Sequence, residues 1–213
     1  SMFGCGWAFD YDEAVTQRAD GSFAYRRGDG SILIFTPDGA DGYAGPAGYD
    51  LAFRRIKTGE MSKDFGTPED PDPVTFDIYE YEIAEADGTV RRFNPNGRLA
   101  SITDTDGFVT SLSYDANGGL AAIATPSGRR FAFTADSVGH ITAVTLPDGN
   151  TLRYAYDAAG NLASYTDANG NTTKYACDAA HRMTGWTDAN GAAMVTNIYD
   201  AKGRVVKQTD ANG

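Results

Sequence analysis

The sequence predicts an all-β fold, an antiparallel meander of hairpins forming a curved or spiral sheet. Three observations predict it. The first is an internal repeat from residue 94 to residue 213, whose units read FNPNGRLASITDTDG, SYDANGGLAAIATPSG, FTADSVGHITAVTLPDG, YAYDAAGNLASYTDANG, YACDAAHRMTGWTDANG and IYDAKGRVVKQTDANG. The second is apolar–polar alternation inside the units. The third is a composition rich in turn and strand formers, with 25 glycines, 12 tyrosines and 11 phenylalanines among 213 residues. Repetition at a fixed period marks a stacked architecture, in which each unit buries its apolar side against its neighbours.

The turns come first because they set the register. Asn94, Asp115, Asp136, Asp157, Asp178 and Asp200 open one series, spaced 21 residues apart four times and then 22. Gly97, Gly118, Gly139, Gly160 and Gly203 stand three residues after their openers, and His181 takes that slot in the fifth unit. A second series ends at Gly107, Gly128, Gly149, Gly170 and Gly191, with Asp167 and Asp188 opening its last two complete members. An aspartate or asparagine opener can bond the backbone two residues on. Glycine at the fourth position takes a left-handed conformation, which suits a type I turn with a glycine bulge. His181 departs from this, although histidine is among the residues more often found at positive φ.

Strands follow between the turns. Leu152, Tyr154 and Tyr156 alternate with polar residues, the signature of a half-buried strand. Tyr114, Tyr175 and Tyr199 hold related places in sister units. The return strands carry Leu99/Ile102, Leu120/Ile123, Ile141/Val144, Leu162/Tyr165 and Met183/Trp186, each pair three residues apart. A flat strand would send such a pair to opposite faces. Either a bulge restores one face, or both faces are partly covered. These residues form the predicted core of the repeat.

Residues 3–93 lose the 21-residue period but keep turn signals, with strand-like runs at 22–26, 31–35, 75–83 and 89–93. They read as an irregular N-terminal β segment ahead of repeats at 94–213. Residues 39–48 are glycine-rich, and the Pro/acidic stretch 67–73 predicts a disordered tip. Ser1-Met2 reads as a leftover of recombinant expression, and Gly213 closes a turn in mid-repeat, so a piece of a longer protein is expected.

Charge and composition narrow the function. A net charge of −11 disfavours nucleic acid and anionic membranes as partners. No run approaches the roughly 18 apolar residues of a spanning helix. No nucleophile elbow, His-Glu-x-x-His or phosphate loop is present, and no cofactor is expected. His140 and His181 read as solvent-exposed turn residues. Asp-x-Asn-Gly invites calcium, but it supplies too few ligands and turn chemistry explains the same residues, so no metal is expected. Asp10/Asp12 and Glu80/Glu82/Glu85 alternate with aromatics, which predicts carboxylates on a solvated strand face with Phe9, Tyr11, Tyr79 and Tyr81 turned inward. Tyr154, Tyr156, Tyr165, Tyr175 and Trp186 read as cross-strand core; exposed, they would stack on a glycan. Cys5 and Cys177 share no metal-ligand spacing. Cys177 stands where sister units carry tyrosine and reads as a buried filler, with a bridge to Cys5 left open.

The YDANG, YDAAGNL and TDANGNTTKY elements resemble the YD repeats of the Rhs (rearrangement hotspot) and wall-associated protein family, found also in teneurins and in the C component of insecticidal Tc toxin complexes. Residues 4–7, Gly-Cys-Gly-Trp, and 89–93, Thr-Val-Arg-Arg-Phe, look like the opening segment of bacterial Rhs proteins. The resemblance implies a segment of a hollow β-shell, with no catalytic residues. Its partners would be the rest of the shell and a C-terminal toxin enclosed for delivery, and its location secreted or at the bacterial cell surface. The family's downstream Asp-Pro-x-Gly-Leu motif is not matched, since Asp70-Pro71-Asp72-Pro73 is not followed by Gly-Leu. The alternative role is an adhesin-like module that binds carbohydrate or a partner. An open strand edge also predicts self-association.

Overall fold

A computed structural model describes residues 1–39, 42–67, 69 and 71–213. The expected disordered tip at 67–73, the glycine-rich stretch at 39–48 and the Asp-Pro-Asp-Pro motif fall in part on positions 40, 41, 68 and 70, outside the described residues. No helix occurs among the described residues. Eighteen strands do: β1 Ala14–Gln17, β2 Phe23–Arg26, β3 Ile32–Asp38, β4 Gly42–Ala44, β5 Leu51–Asp64, β6 Pro73–Glu85, β7 Val90–Phe93, β8 Leu99–Thr103, β9 Val109–Tyr114, β10 Leu120–Ala124, β11 Arg130–Ala135, β12 Ile141–Thr145, β13 Thr151–Tyr156, β14 Leu162–Thr166, β15 Thr172–Cys177, β16 Met183–Thr187, β17 Ala193–Tyr199 and β18 Val205–Asp210.

Strands β5 to β18 pair in sequence order with no crossover, and β1 to β4 form a separate four-stranded sheet. Neighbouring strands pair antiparallel, as a meander of short hairpins requires. The chain divides into two compact units, one of residues Asp10–Leu112 and one of Ser1–Phe9 with Ser113–Gly213.

In the first unit an aromatic cluster fills the core. Phe53 lies 4.8 Å from Phe23, 5.0 Å from Phe35 and 5.1 Å from Tyr43, centroid to centroid. Phe23, Phe35, Ile83, Phe93 and Leu99 are almost completely buried. Each such side chain contributes roughly 1.5–3 kcal/mol by leaving water. Beyond this core, β5 and β6 run on as a two-stranded ribbon. Lys63↔Val74, Met61↔Phe76 and Gly59↔Ile78 face one another across it. Met61, Val74 and Phe76 are exposed there. Strand β5 escaped the sequence reading because its Arg, Lys and Glu residues hide the alternation, and its pairing shifts register near Gly59.

In the second unit the pairing resolves the three-apart puzzle. Tyr156 pairs with Leu162 and Ala155 with Ser164, so Ala163 is an extra residue. The same shift leaves Thr142, Thr184 and Val206 unpaired in sister hairpins. One bulge per hairpin therefore turns both members of each pair to one face. The threonines at this place also use the irregularity: Thr142 Oγ1 donates to the Thr134 carbonyl and Thr184 Oγ1 to the Ala176 carbonyl. The 22-residue step is absorbed elsewhere. Trp186 pairs with Val195 and Thr187 with Ala193, which leaves Met194 as the inserted residue.

Candidate functional site

The chemistry of this chain is concentrated at its hairpin turns. At Asp157 the backbone closes with Gly160 N donating to Asp157 O at 3.0 Å and Asp157 N to Asn161 O at 2.9 Å. Asp157 Oδ1 accepts from the amides of Ala159 and Asn161, both at 2.9 Å. The same double acceptance recurs at Asn94, Asp115, Asp136, Asp167, Asp178, Asp188 and Asp200. Each opener thus satisfies two loop donors. The second oxygen is taken by the last turn residue where that side chain reaches: Asn161, Asn171, Arg182 or Arg204. These bonds hold the carboxyls of Asp157, Asp167 and Asp178 below their ordinary value, led by the side chains of Asn161, Asn171 and Arg182 respectively.

Gly97, Gly107, Gly118, Gly128, Gly139, Gly149, Gly160, Gly170, Gly191 and Gly203 all have positive φ, between 72° and 94°. His181 adopts φ 61°, the one non-glycine at positive φ among the described residues. Its Nδ1 lies 2.7 Å from Asn161 Oδ1, which anchors the ring on the preceding turn.

The tyrosine of the repeat ties one hairpin to another. Tyr156 Oη donates to the Ile141 carbonyl at 2.7 Å, and Tyr199 Oη to the Met183 carbonyl at 2.7 Å. The pair of letters in the repeat therefore has two jobs: tyrosine joins hairpins and aspartate closes the turn. Of the expected core, Leu99, Leu120, Ile123, Ile141, Val144 and Leu162 are buried. Ile102, Tyr114, Leu152, Tyr154, Tyr156, Tyr165, Tyr175, Met183, Trp186 and Tyr199 are half-buried.

The N-terminal residues supply what the sequence did not reveal. Phe3 packs edge-on to Tyr154 at 5.0 Å, Trp7 edge-on to Tyr175 at 5.2 Å, and Phe9 lies 6.2 Å from Phe133. Phe133, Tyr154 and Tyr175 are spaced by the repeat period. This strap also bonds through its backbone: Ile141 N donates to Met2 O at 2.8 Å and Cys5 N to Gly160 O at 3.3 Å. In the other unit, the start of β1 and the residue before it meet a turn in a similar way. Val15 N donates to Gly97 O at 2.8 Å and Leu99 N to Glu13 O at 3.4 Å.

Four expectations are corrected. His140 is not a solvent-exposed turn residue: its ring stacks on Tyr156 at 4.5 Å and its side chain is 22% exposed. Glu82 is not on a solvated face. It is buried, aligned across neighbouring strands with Arg54 and Arg92 and paired with both. Asp10 and Tyr11 sit in a turn, not on an alternating strand, and Asp12 pairs with Arg26 at 2.9 Å. Cys177 is half-buried, not fully buried, and burial still raises its thiol pKa.

A second carboxylate was missed. Glu13 is buried, accepts from Tyr25 Oη at 2.8 Å and meets Arg91 at 3.1 Å, and Arg91 also pairs with Glu85. Burial pushes the Glu13 carboxyl up, with Arg91 pulling against it. Glu13 and Arg91 are 78 residues apart in sequence, so no local pattern could have joined them. No group of three or more potential metal ligands occurs among the described residues.

Capped turns, one bulge per hairpin and sequential pairing define a tandem β-hairpin repeat protein. The RHS Repeat family model matches residues 93–130, 136–172 and 156–193. Residues 93–130 and 136–193 thus carry repeats of the YD, or Rhs, type. No curated protein matches the chain. Among solved structures, it is similar to a chain of the Photorhabdus luminescens Tc holotoxin pore with a TccC3 point mutation, at 15% identity and TM-score 0.46, over 92% of this chain and 12% of that one. It is also similar to a chain of the TcdB2–TccC3–Cdc42 crystal structure, at 16% identity and TM-score 0.33, over 92% of this chain and 12% of that one. A chain of the TcdB2–TccC3 crystal structure gives 13% identity and TM-score 0.33, over 91% and 16%. This chain therefore spans 12–16% of the length of those chains.

Proposed function

We propose that this chain is a non-catalytic wall segment of a β-shell that encloses a C-terminal toxin, in a protein that is secreted or displayed at the bacterial surface. The observation that supports the reading most is the sequential pairing of β5 to β18, in which aspartate or asparagine caps recur at the turns. A sheet built this way extends by adding units, which suits a wall. The carboxylates do not compete with it, because Glu13 and Glu82 are engaged by arginines rather than facing each other across a substrate gap. The rest of the shell and the enclosed toxin are the proposed partners. No helix among the described residues is long and apolar enough to cross a membrane.

The test is negative-stain electron microscopy of the intact parent protein, with protease protection of its C-terminal domain. A closed hollow particle with a protected C-terminus is expected. An open or rod-like particle with an accessible C-terminus overturns the shell and favours the adhesin. That alternative is weakened by Phe3 and Trp7, which pack against the rings of Tyr154 and Tyr175.

A further inference from the structure

Two cysteines 172 positions apart in sequence fall within one compact unit. The strap positions Cys5. Its amide bonds the Gly160 carbonyl at 3.3 Å. On one side, Gly4 is packed so closely on Gly160 and Leu162 that a methyl group there would lie 2.9 Å and 3.0 Å from their backbone atoms. On the other, a methyl at Gly6 would lie 3.8 Å from the His181 carbonyl, and Trp7 packs on Tyr175. Cys5 is thus bracketed between the turn ending at Asn161 and the turn ending at Arg182. Cys177 is the last residue of the strand leading into that second turn, and it pairs with Met183.

Repeat symmetry says which way Cys177 faces. Tyr156, one period earlier, points its hydroxyl at the Ile141 carbonyl and lies 3.5 Å from the Met2 carbonyl, so this position faces the strap. One unit on, the strap stretch that carries Cys5 runs between the turns at Gly160 and His181. A cysteine cannot reach the carbonyl that tyrosine ties, so the unit lacks its usual link. The charge of Cys5 is felt at Cys177, which fits this closeness. Both thiols are free in this structure, and Cys5 is exposed.

We propose that Cys5 and Cys177 form an oxidisable pair whose disulfide staples the N-terminal strap to the repeat sheet in place of the missing tyrosine link. The oxidant is a small-molecule disulfide such as oxidised glutathione. The Cys5 thiolate attacks one glutathione sulfur, forming a mixed disulfide and releasing one glutathione thiolate. Cys177 Sγ then attacks Cys5 Sγ, the second glutathione leaves as thiolate, and the two protein thiol protons end on the two glutathiones. Exposure makes Cys5 the first to react, and the half-buried Cys177 the resolving thiol.

The experiment treats the whole chain, first reduced, with oxidised glutathione. Unreacted thiols are then alkylated, and the digest is read by mass spectrometry. The expected result is a monomer with both thiols lost and the tryptic peptides 1–18 and 175–182 joined, the link disappearing in Cys5→Ser and Cys177→Ser. Reversal by dithiothreitol restores two alkylatable thiols. Retention of two alkylatable thiols, a mixed disulfide on Cys5 that never resolves, or disulfides only between chains would each overturn the proposal.

Discussion

The Tyr156 hydroxyl donates to the backbone carbonyl of Ile141 across 2.7 Å, joining two hairpins whose strands pair only through β12 and β13. Tyr199 repeats the contact on Met183. Removing one hydroxyl leaves a partly buried carbonyl short of a partner, which costs about 1 kcal/mol. Tyr156→Phe should therefore lower the urea midpoint while leaving the strand signature of circular dichroism intact. An unchanged midpoint would assign the link no role in stability.

Two glycines with similar backbone angles should respond differently. Gly97 has φ 72° and Gly128 φ 79°, so alanine at either meets left-handed strain of about 1 kcal/mol. Nothing lies within 4 Å of a methyl at Gly128. At Gly97 the methyl would collide with the Val15 carbonyl oxygen, a backbone atom with no rotamer to escape into. Gly97→Ala should cost at least about 1–3 kcal/mol more than Gly128→Ala in equilibrium unfolding. Equal costs would show that the Val15 contact yields.

His181 balances strain against a bond. His181→Ala keeps the strained φ of 61° and loses the contact to Asn161, at a cost of about 1 kcal/mol. His181→Gly loses the same contact but relieves the backbone, so it should be near neutral. Thermal unfolding of the two variants side by side decides this, and a glycine variant as weak as the alanine one would refute it.

Acid should loosen the turns. Asp157, Asp167, Asp178 and Asp200 have carboxyls held below the ordinary value of 3.8 by hydrogen bonds made in the folded state. A depressed folded value means a contribution that is present above the unfolded value and disappears as pH falls through the folded one. Glu13 runs oppositely: its raised value weakens the fold as pH rises past its ordinary 4.5. Urea midpoints should therefore fall between about pH 4 and pH 2, and Asp157→Asn should flatten that fall. A steeper fall in the variant would contradict the turn origin.

The repeat was legible because its signals are local. An aspartate and a glycine three residues later settle a turn without help from the rest of the chain, and alternation in 151–156 reports its own face. Leu162 and Tyr165 could not be placed on one face until the partner of Ala163 was known to be missing. The strap, the Glu13–Arg91 pair and the Arg54–Glu82–Arg92 row depend on contacts between distant segments. Glu82 looked like a solvent residue because alternation reports the face a side chain is on, not whether arginines on adjacent strands close over it.

The extra residue Met194 shows how this array accommodates a change of length. One inserted amino acid is taken up inside a single strand, and the turn at Asp200 still closes with the same bonds as the turn at Asp178. A single extra residue inside a strand therefore leaves the units downstream in frame. Counting along the sequence loses step at such an event, whereas the order of capped corners does not. Homologous units are better recognised by their corners than by their length.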